Sequence, residues 1–267
     1  MTQLSQPVFS LHYVGLNLKK GVTEADFEHF VRQQGVHIPA YPGWKWSLLK
    51  GLRGERKAQY LMLYEAESQQ AWEMYMDSEG ALTAAAHAFW QQHPQAQSLI
   101  STWRSFATFG ELPVLYSTFR LLAENQHSSL PAGANFQRIA DRPDVQRVVG
   151  FHHLALKAGV RAADFDAFMR DNVHRIDDYP GWKFHMLKGT GGSRSEQYVV
   201  MLIIESLASL NAFHPELDVA TERSLQFVRE HQESERMYDE WRELASFSGA
   251  PQMYTDYLTL AGNLNQG

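Results

Sequence analysis

One five-residue segment occurs twice in this chain, and it constrains the fold more than any other feature. Tyr-Pro-Gly-Trp-Lys occupies residues 41–45 and again residues 179–183. Each copy leads to Leu-Lys-Gly, at residues 49–51 and 187–189. Proline presets φ and glycine accepts a positive φ, so Pro-Gly is typical of the central positions of a type II turn. We predict that each turn delivers a tryptophan to the start of a strand.

The repeat extends far beyond this segment. Residues 14–119 align without a gap to residues 152–257, at a constant offset of 138 positions. Between residues 21–68 and 159–206, 22 of 48 positions are identical. Self-similarity at a fixed offset indicates that one structural unit is used twice. The chain therefore predicts an internal duplication.

Hydrophobic patterning predicts the same elements in each unit. In the first unit, strands are expected at residues 11–18, 44–50, 59–65 and 114–121. Thr23 to Asp26 match a capping box, and the apolar spacing that follows is that of an amphipathic helix. The order β-α-β-β-α-β is the ferredoxin-like plan. The predicted organisation is a first repeat over 10–121, a linker over 122–147 and a second repeat over 148–262.

Two such units predict how the sheets are covered. A four-stranded antiparallel sheet with helices on one face leaves its other face without cover. Two sheets in one chain can cover each other and close into a barrel, which removes most edges. The predicted fold class is therefore α+β, with two tandem ferredoxin-like repeats forming an intramolecular pseudo-dimeric barrel.

Composition excludes several classes of protein. The 267 residues include no cysteine, which rules out disulfides, thiolate metal sites and cysteine nucleophiles. A formal charge of −6 without a basic run argues against a nucleic-acid partner. The N-terminal residues lack a secretory pattern, and no apolar stretch approaches the roughly 20 residues that span a bilayer. We expect a cytoplasmic protein without a membrane partner.

The chain resembles the dimeric α+β barrel superfamily in its element order, over nearly its whole length. Phe30, His37-x-Pro39, Pro42-Gly43 and Gly51 are similar to the EthD-type pattern. The second half departs from it, because His174-Arg175-Ile176 contains no proline. The superfamily includes antibiotic-biosynthesis monooxygenases and tandem-domain chlorite dismutases. The resemblance implies a pocket between helices and sheet that takes a small hydrophobic or aromatic compound.

Histidines and tyrosines supply the candidate catalytic residues. His37 and His174 lie near the end of the first helix of each half, where a surface position at the helix terminus is the simpler interpretation. The second half also carries His152, His153 and His185, which have no histidine counterpart in the first half. Neighbours in a strand point to opposite faces, so at most one of His152 and His153 joins a given site. The candidate catalytic set is His37, His174, His185, Tyr60 and Tyr198.

Aromatic and cationic residues supply the candidate ligand-binding set. Trp44 and Trp182 begin equivalent strands, and such aromatic residues fill a core or line a cavity with a polar edge. Arg56 and Arg194 recur at equivalent positions, and a guanidinium can grip a carboxylate bidentately. The candidate ligand-binding set is Trp44, Trp182, Arg56, Arg194, His152 and His153.

Three functions remain open at this stage. The first is a cofactor-free monooxygenase or isomerase acting on a hydrophobic, aromatic compound, as the resemblance implies. The second is a haem-binding enzyme that uses a second-half histidine, as chlorite dismutase-like proteins imply. The third is a non-catalytic binding or assembly protein. No metal site is predicted, because no ligand spacing along one element supports it. Whether the chain forms a homo-oligomer is left open.

Overall fold

The computed structural model describes residues 6–14, 16–78, 80–109, 116–125, 147–217, 219–247 and 254–263. The start of the predicted strand at 114–121 and most of the predicted 122–147 linker lie outside the described residues. Strand ends at Glu124 and Val148 flank that segment.

The first half begins with two strands and a helix that starts at the predicted capping box. Thr23 accepts a hydrogen bond from the backbone N–H of Asp26, whose carboxylate accepts one from the backbone of Thr23. The elements of this half are β1 Val8–Val14, β2 Leu16–Leu18, α1 Glu24–Gln33, a 3₁₀ turn Gly35–His37, β3 Trp44–Gly54, β4 Tyr60–Ala66, α2 Gln69–Tyr75, α3 Ala84–Gln92, α4 Pro94–Phe106, β5 Ala107–Phe109 and β6 Tyr116–Glu124.

The second half follows the same order. Its elements are β7 Val148–Leu156, α5 Ala162–Asn172, a 3₁₀ turn Val173–Arg175, β8 Trp182–Gly192, β9 Tyr198–Ile204, α6 Leu207–Phe213, α7 Glu222–Glu230, α8 Gln232–Leu244, β10 Ala245–Ser246 and β11 Tyr254–Asn263. No described helix combines the length and the apolar character needed to cross a membrane.

Eight of the strands close into an antiparallel barrel, which confirms the predicted fold class. The order is β7-β11-β3-β4-β1-β6-β8-β9, and β9 pairs with β7 to complete the ring. Within each half the strands follow the ferredoxin-like order. The two halves meet where β11 pairs with β3 and where β6 pairs with β8. Each half therefore covers the open sheet face of the other.

The repeated turn has the predicted conformation. The N–H of Trp44 donates to the carbonyl of Tyr41 over 2.8 Å, and Gly43 adopts a φ of +74°. In the second half Gly181 has a φ of +81° and the same hydrogen bond is 2.9 Å long. A glycine is required there because a positive φ is costly for most other residues. The turn places Trp44 and Trp182 as the first residues of β3 and β8.

The core forms three layers. Alternate residues of the strands meet inside the barrel, among them Phe9, Leu11, Leu61, Leu63, Phe119, Phe151 and Tyr257. On the outside of the sheet, α1 and α4 pack through Phe27, Phe30 and Trp103. In the second half, α5 and α8 pack through Phe165 and Trp241. Burying such a side chain contributes roughly 1.5–3 kcal/mol, so each helix layer stabilises its own half.

Candidate ligand-binding site

The larger of two equivalent cavities lies in the first half, between the outer face of the sheet and α3 and α4. Its volume is about 240 Å³. Residues from the repeated turn, from β3 and β4 and from the two helices line it. They are Ile38, Pro39, Ala40, Tyr41, Trp44, Trp46, Met62, Tyr64, Trp90, Ile100, Trp103 and Arg104. The lining is aromatic to an unusual degree, because four of the seven tryptophans of the chain belong to it.

Three of the four indole N–H groups in this lining donate hydrogen bonds within the protein. The indole N–H of Trp44 donates to the carbonyl of Ala71 over 2.8 Å, and that of Trp46 donates to the carbonyl of Ile38 over 3.1 Å. The indole N–H of Trp90 donates to the hydroxyl of Tyr41 over 2.6 Å. Since these groups are satisfied, the rings offer apolar surface to the cavity. Such walls suit a flat apolar ligand.

Tyr64 and Arg104 bring polar groups to this apolar lining, and His12 lies beside Tyr64. Tyr64 lies on β4, and burial raises the pKa of its hydroxyl to about 12, so the phenol keeps its proton at neutral pH. The ring of His12 meets the ring of Tyr64 edge-on, with 5.0 Å between centroids. Burial lowers the pKa of His12 to about 4, so that imidazole is neutral. Arg104, an exposed residue of α4, brings a positive charge to the lining.

The equivalent cavity of the second half is smaller and more polar. Its volume is about 120 Å³, and Tyr238 stands where the first half has Ile100. Asp177 and Asp178 replace Pro39 and Ala40. Its lining is Asp177, Asp178, Tyr179, Trp182, Phe184, Leu202, Phe227, Val228, His231, Ser234, Glu235 and Tyr238. Tyr238 is larger than Ile100, and the volume of this cavity is about half that of the first.

Several polar side chains at this second cavity are paired with one another. Nδ1 of His231 lies 2.9 Å from a carboxylate oxygen of Asp177, and the His231 ring stacks on Phe227 with 3.9 Å between centroids. The hydroxyl of Tyr179 lies 2.8 Å from that of Ser224. These contacts therefore stabilise the second half of the protein.

Asp178 gives this cavity a pH-dependent stability. Burial raises the pKa of its carboxyl to about 7, although the backbone N–H of Phe184 donates to it. An acid whose pKa is higher in the folded state costs stability increasingly as pH rises from its unfolded pKa near 3.9 to about 7. We therefore expect Asp178→Asn to raise the free energy of unfolding by roughly 1–3 kcal/mol at pH 8.

Urea denaturation at pH 4 and at pH 8 measures this effect. At pH 4 most of the gain should vanish, because Asp178 is then largely protonated in the folded state and near its midpoint in the unfolded state. An equal effect of Asp178→Asn at both pH values would show that ionisation of Asp178 is not the cause.

The structure separates the predicted site residues into several places. Trp44 lines the first cavity and Trp182 the second. His37 and His174 are exposed and line neither cavity. Their position matches the surface interpretation of a histidine at a helix terminus.

Tyr60 and Tyr198 belong to a structural set in each half. The hydroxyl of Tyr60 donates to Glu28 over 2.7 Å, and that of Tyr198 donates to Asp166 over 2.5 Å. Burial and these carboxylates raise the pKa of both hydroxyls. Both phenols are therefore held protonated against helices α1 and α5, outside the two cavities.

The second-half histidines do not meet at one site. His153 and His185 are buried inside the barrel, 3% and 5% exposed. His152 points to the outer face, where its ring lies 4.0 Å from the ring of Tyr254 between centroids. Burial lowers the pKa of His152 and His153 to about 3 and that of His185 to about 4, so all three are neutral at pH 7.

Haem does not fit these histidines. His174 is on the surface, and His153 and His185 are enclosed by the packed barrel core. The ring of His152 packs against the rings of Tyr254 and Phe247. The second cavity, at about 120 Å³, is smaller than a cavity of about 150 Å³ that holds benzene, so it has no room for a haem macrocycle. Among the described residues, no three histidine, aspartate or glutamate side chains are grouped closely enough to hold a metal ion.

Several residues that line the first cavity were not predicted from the sequence. Trp90, Ile100 and Arg104 lie on α3 and α4, which follow an irregular stretch after α2, and their helical spacing is that of ordinary core residues. The available signal was the difference between copies: Trp90, Ile100 and Met62 correspond to Val228, Tyr238 and Val200. Tyr64, which corresponds to Leu202, could have been found in the same way.

No protein-family model matches this chain, and no curated protein matches it in sequence. Solved structures match its fold. A provisionally assigned monooxygenase from Fusobacterium nucleatum is similar over 100% of this chain and 97% of its own length, with 9% identity and a TM-score of 0.54. A provisionally assigned monooxygenase from Lactobacillus acidophilus is similar over 97% of this chain and 100% of its own, with 9% identity and a TM-score of 0.47. An anthrone oxidase-like protein is similar over 97% of this chain and 93% of its own, with 11% identity and a TM-score of 0.48.

This likeness concerns the fold. Together with the closed eight-stranded barrel, the match to the F. nucleatum structure confirms the predicted fold. At 9% identity the match does not carry a residue role from one chain to the other, because unrelated functions share one scaffold.

Proposed function

We propose that this protein binds a flat, apolar aromatic compound with one acidic or hydroxyl substituent in the first-half cavity, and oxidises it as a cofactor-free monooxygenase. The observation that carries the proposal is the cavity of about 240 Å³ walled by four tryptophans. An apolar cavity of about 150 Å³ holds benzene, so this one accommodates a fused two-ring compound. Flat rings stack favourably on such walls.

The polar groups suit a ligand with one polar end. Arg104 can neutralise a carboxylate or phenolate at the edge of the cavity. The protonated hydroxyl of Tyr64 can donate a hydrogen bond to an oxygen of the ligand, which stabilises negative charge there. An electron-rich phenolate can itself reduce molecular oxygen: one oxygen atom enters the ring, which becomes a quinone, and the other leaves as water. This chemistry requires a dry site that holds the anion. The structurally similar F. nucleatum protein is provisionally assigned as a monooxygenase, which supports the reaction class.

Ile100→Tyr tests the binding site. We expect it to abolish binding of 2-naphthoate, because a tyrosine at the equivalent position 238 accompanies a cavity of half the volume. Quenching of tryptophan fluorescence measures binding in the wild-type protein. Tyr238→Phe is the matched control in the second half and should leave the affinity unchanged. Undiminished binding by Ile100→Tyr would place the ligand elsewhere.

Arg104→Gln tests the polar end. This substitution should weaken the binding of 2-naphthoate by about tenfold or more. The affinity for naphthalene should stay unchanged, because naphthalene carries no charge. Arg242→Gln is the matched control, because Arg242 is the equivalent residue and pairs with Asp239 at 2.5 Å. An oxygen electrode with 1-naphthol then tests the reaction. Binding without oxygen uptake would leave a binding protein and refute the oxygenase part.

A further inference from the structure

We propose that one end of the barrel binds a compact oxyanion, a carboxylate or phosphate group, between Arg56 and Arg194. This site is separate from the first-half cavity and does not depend on the function proposed for it. It lies at the end of the barrel where the hairpins β3–β4 and β8–β9 both turn.

The hairpins bring the two arginines to the same end. Val14 pairs with Tyr60 and Leu154 with Tyr198, so β4 and β9 both begin at this end. In each hairpin the arginine backbone lies directly against a glycine of the preceding strand. A Cβ on Gly51 would overlap the carbonyl oxygen of Arg56, and Gly189 stands in the same relation to Arg194. The fold therefore holds both arginines by fixed backbone geometry.

The charges of both guanidinium groups influence Tyr13, whose ring lies inside the barrel. The guanidinium carbon of Arg56 lies 3.9 Å from the centroid of the Tyr13 ring, a cation–π contact. Burial raises the pKa of Tyr13, and the charges of Arg56 and Arg194 oppose that rise. Burial lowers the pKa of Arg194, and the charge of Arg56 lowers it further. Two positive groups therefore share this end of the barrel, and the charge of each bears on the same buried ring.

Arg56 lacks a counter-charge among the described residues. Its terminal nitrogen donates to the side-chain carbonyl of Gln59 over 3.2 Å, and its Nε is buried without a hydrogen-bond partner. The neighbouring Arg53 differs, because its Nε donates to the carboxylate of Asp256 over 2.6 Å. A buried donor of a cation without a partner is costly. An anion at this position would accept that hydrogen bond and offset the two positive charges.

The neutral imidazole of His153 is influenced by the charges of the same two arginines. His153 is 3% exposed, and neither of its ring nitrogens has a hydrogen-bond partner. Burial lowers the pKa of His153 to about 3, and both Arg194 and Arg56 contribute to that lowering. A neutral imidazole can donate one hydrogen bond to an oxyanion. His153 is therefore a third candidate donor from the barrel interior.

The packing of the barrel limits the size of the ligand. The interior beneath the arginines is filled by the core cluster that includes Phe119, Phe151 and Tyr257. Only the end of the barrel is left for a ligand. Guanidinium groups bind carboxylate and phosphate through paired hydrogen bonds, which suits a small planar or tetrahedral anion.

Isothermal titration calorimetry of the full chain tests this site, with inorganic phosphate and acetate as probes at constant ionic strength. We expect saturable binding of one anion per chain for at least one probe. Arg56→Gln and Arg194→Gln should each weaken it by about ten- to a hundredfold, the loss of a hydrogen bond to a charged group. Arg56→Lys keeps the positive charge but loses the planar guanidinium that donates two parallel hydrogen bonds. Its affinity for the anion should fall between those of the wild type and Arg56→Gln.

Arg161→Gln is the control, since Arg161 is an exposed cation that pairs with Asp164 away from both proposed sites, and its loss should leave anion affinity unchanged. A urea titration of each variant verifies that it is folded before its heat is interpreted. Preference for phosphate or for acetate identifies the natural anion as tetrahedral or planar. The proposal is overturned if neither probe gives saturable heat, or if Arg56→Gln and Arg194→Gln bind as tightly as the wild type.

Discussion

Replacing Asp166 with alanine is expected to lower the free energy of unfolding by about 3–5 kcal/mol. Its carboxylate lies 2.9 Å from the ammonium of Lys188, and these side chains are only 10% and 9% exposed. The same carboxylate accepts the hydroxyl hydrogen bond of Tyr198. Without Asp166, the Lys188 charge and a phenol remain in a largely dry environment without their principal partner. Urea denaturation monitored by circular dichroism measures the loss.

The first half supplies a matched control for this change. Glu28 occupies the equivalent position and pairs with Lys50 at 2.7 Å, but these side chains are 19% and 28% exposed. Glu24 also lies 3.3 Å from Lys50 and accepts from Tyr60. Glu28→Ala should therefore cost only about 1 kcal/mol, as expected of a solvated pair. Lys188 also has a second carboxylate, that of the exposed Glu196 at 3.5 Å, so burial is the difference between the two sites. Equal losses for the two variants would contradict the role given to burial.

Gly189→Ala is expected to destabilise the protein by about 3 kcal/mol, near the upper end of overpacking effects. An added Cβ would overlap the backbone carbonyl of Arg194 in the hairpin β8–β9. Two hydrogen bonds hold that hairpin in place: Gly189 N–H to the Gln197 carbonyl over 2.7 Å, and Glu196 N–H to the Gly189 carbonyl over 3.0 Å. A backbone obstacle cannot rotate away as a side chain can. The hairpin must move, and these bonds are strained or lost.

Gly191→Ala is the control on the same strand. Its Cβ would meet only the Cβ of Thr118, at 4.0 Å, which is ordinary van der Waals contact. Its free energy of unfolding should stay within about 1 kcal/mol of the wild type. If Gly191→Ala were as damaging as Gly189→Ala, general loss of glycine flexibility would explain both. Gly189→Ala should also weaken anion binding, because Arg194 belongs to the displaced hairpin.

The sequence predicted the fold because its signals were local and repeated. The Pro-Gly turn, the capping box at Thr23 and the alternation along each strand are readable from neighbouring residues. The constant offset then required each element to occur twice. Closure into a barrel followed from the need of each sheet to cover its open face.

The candidate site was less predictable for a physical reason. A cavity is defined by how helices pack, and Ile100 and Arg104 contribute to it only because α4 crosses the outer face of β3 and β4. Histidines were predicted as catalytic residues because imidazoles can act as acids, bases and metal ligands. The structure places His153 and His185 inside the barrel and His37 and His174 on the surface. The larger cavity lies in the half that lacks the additional histidines.

The central claim is that the first-half cavity holds an aromatic ligand, and a crystal soaked with 6-bromo-2-naphthoate tests it most directly. Anomalous scattering locates the bromine independently of any fitted ligand. We predict one bromine site among Trp44, Trp90 and Trp103, with the carboxylate towards Arg104. A bromine only in the second cavity or at a crystal contact, or none in a crystal soaked to saturation, would contradict the account.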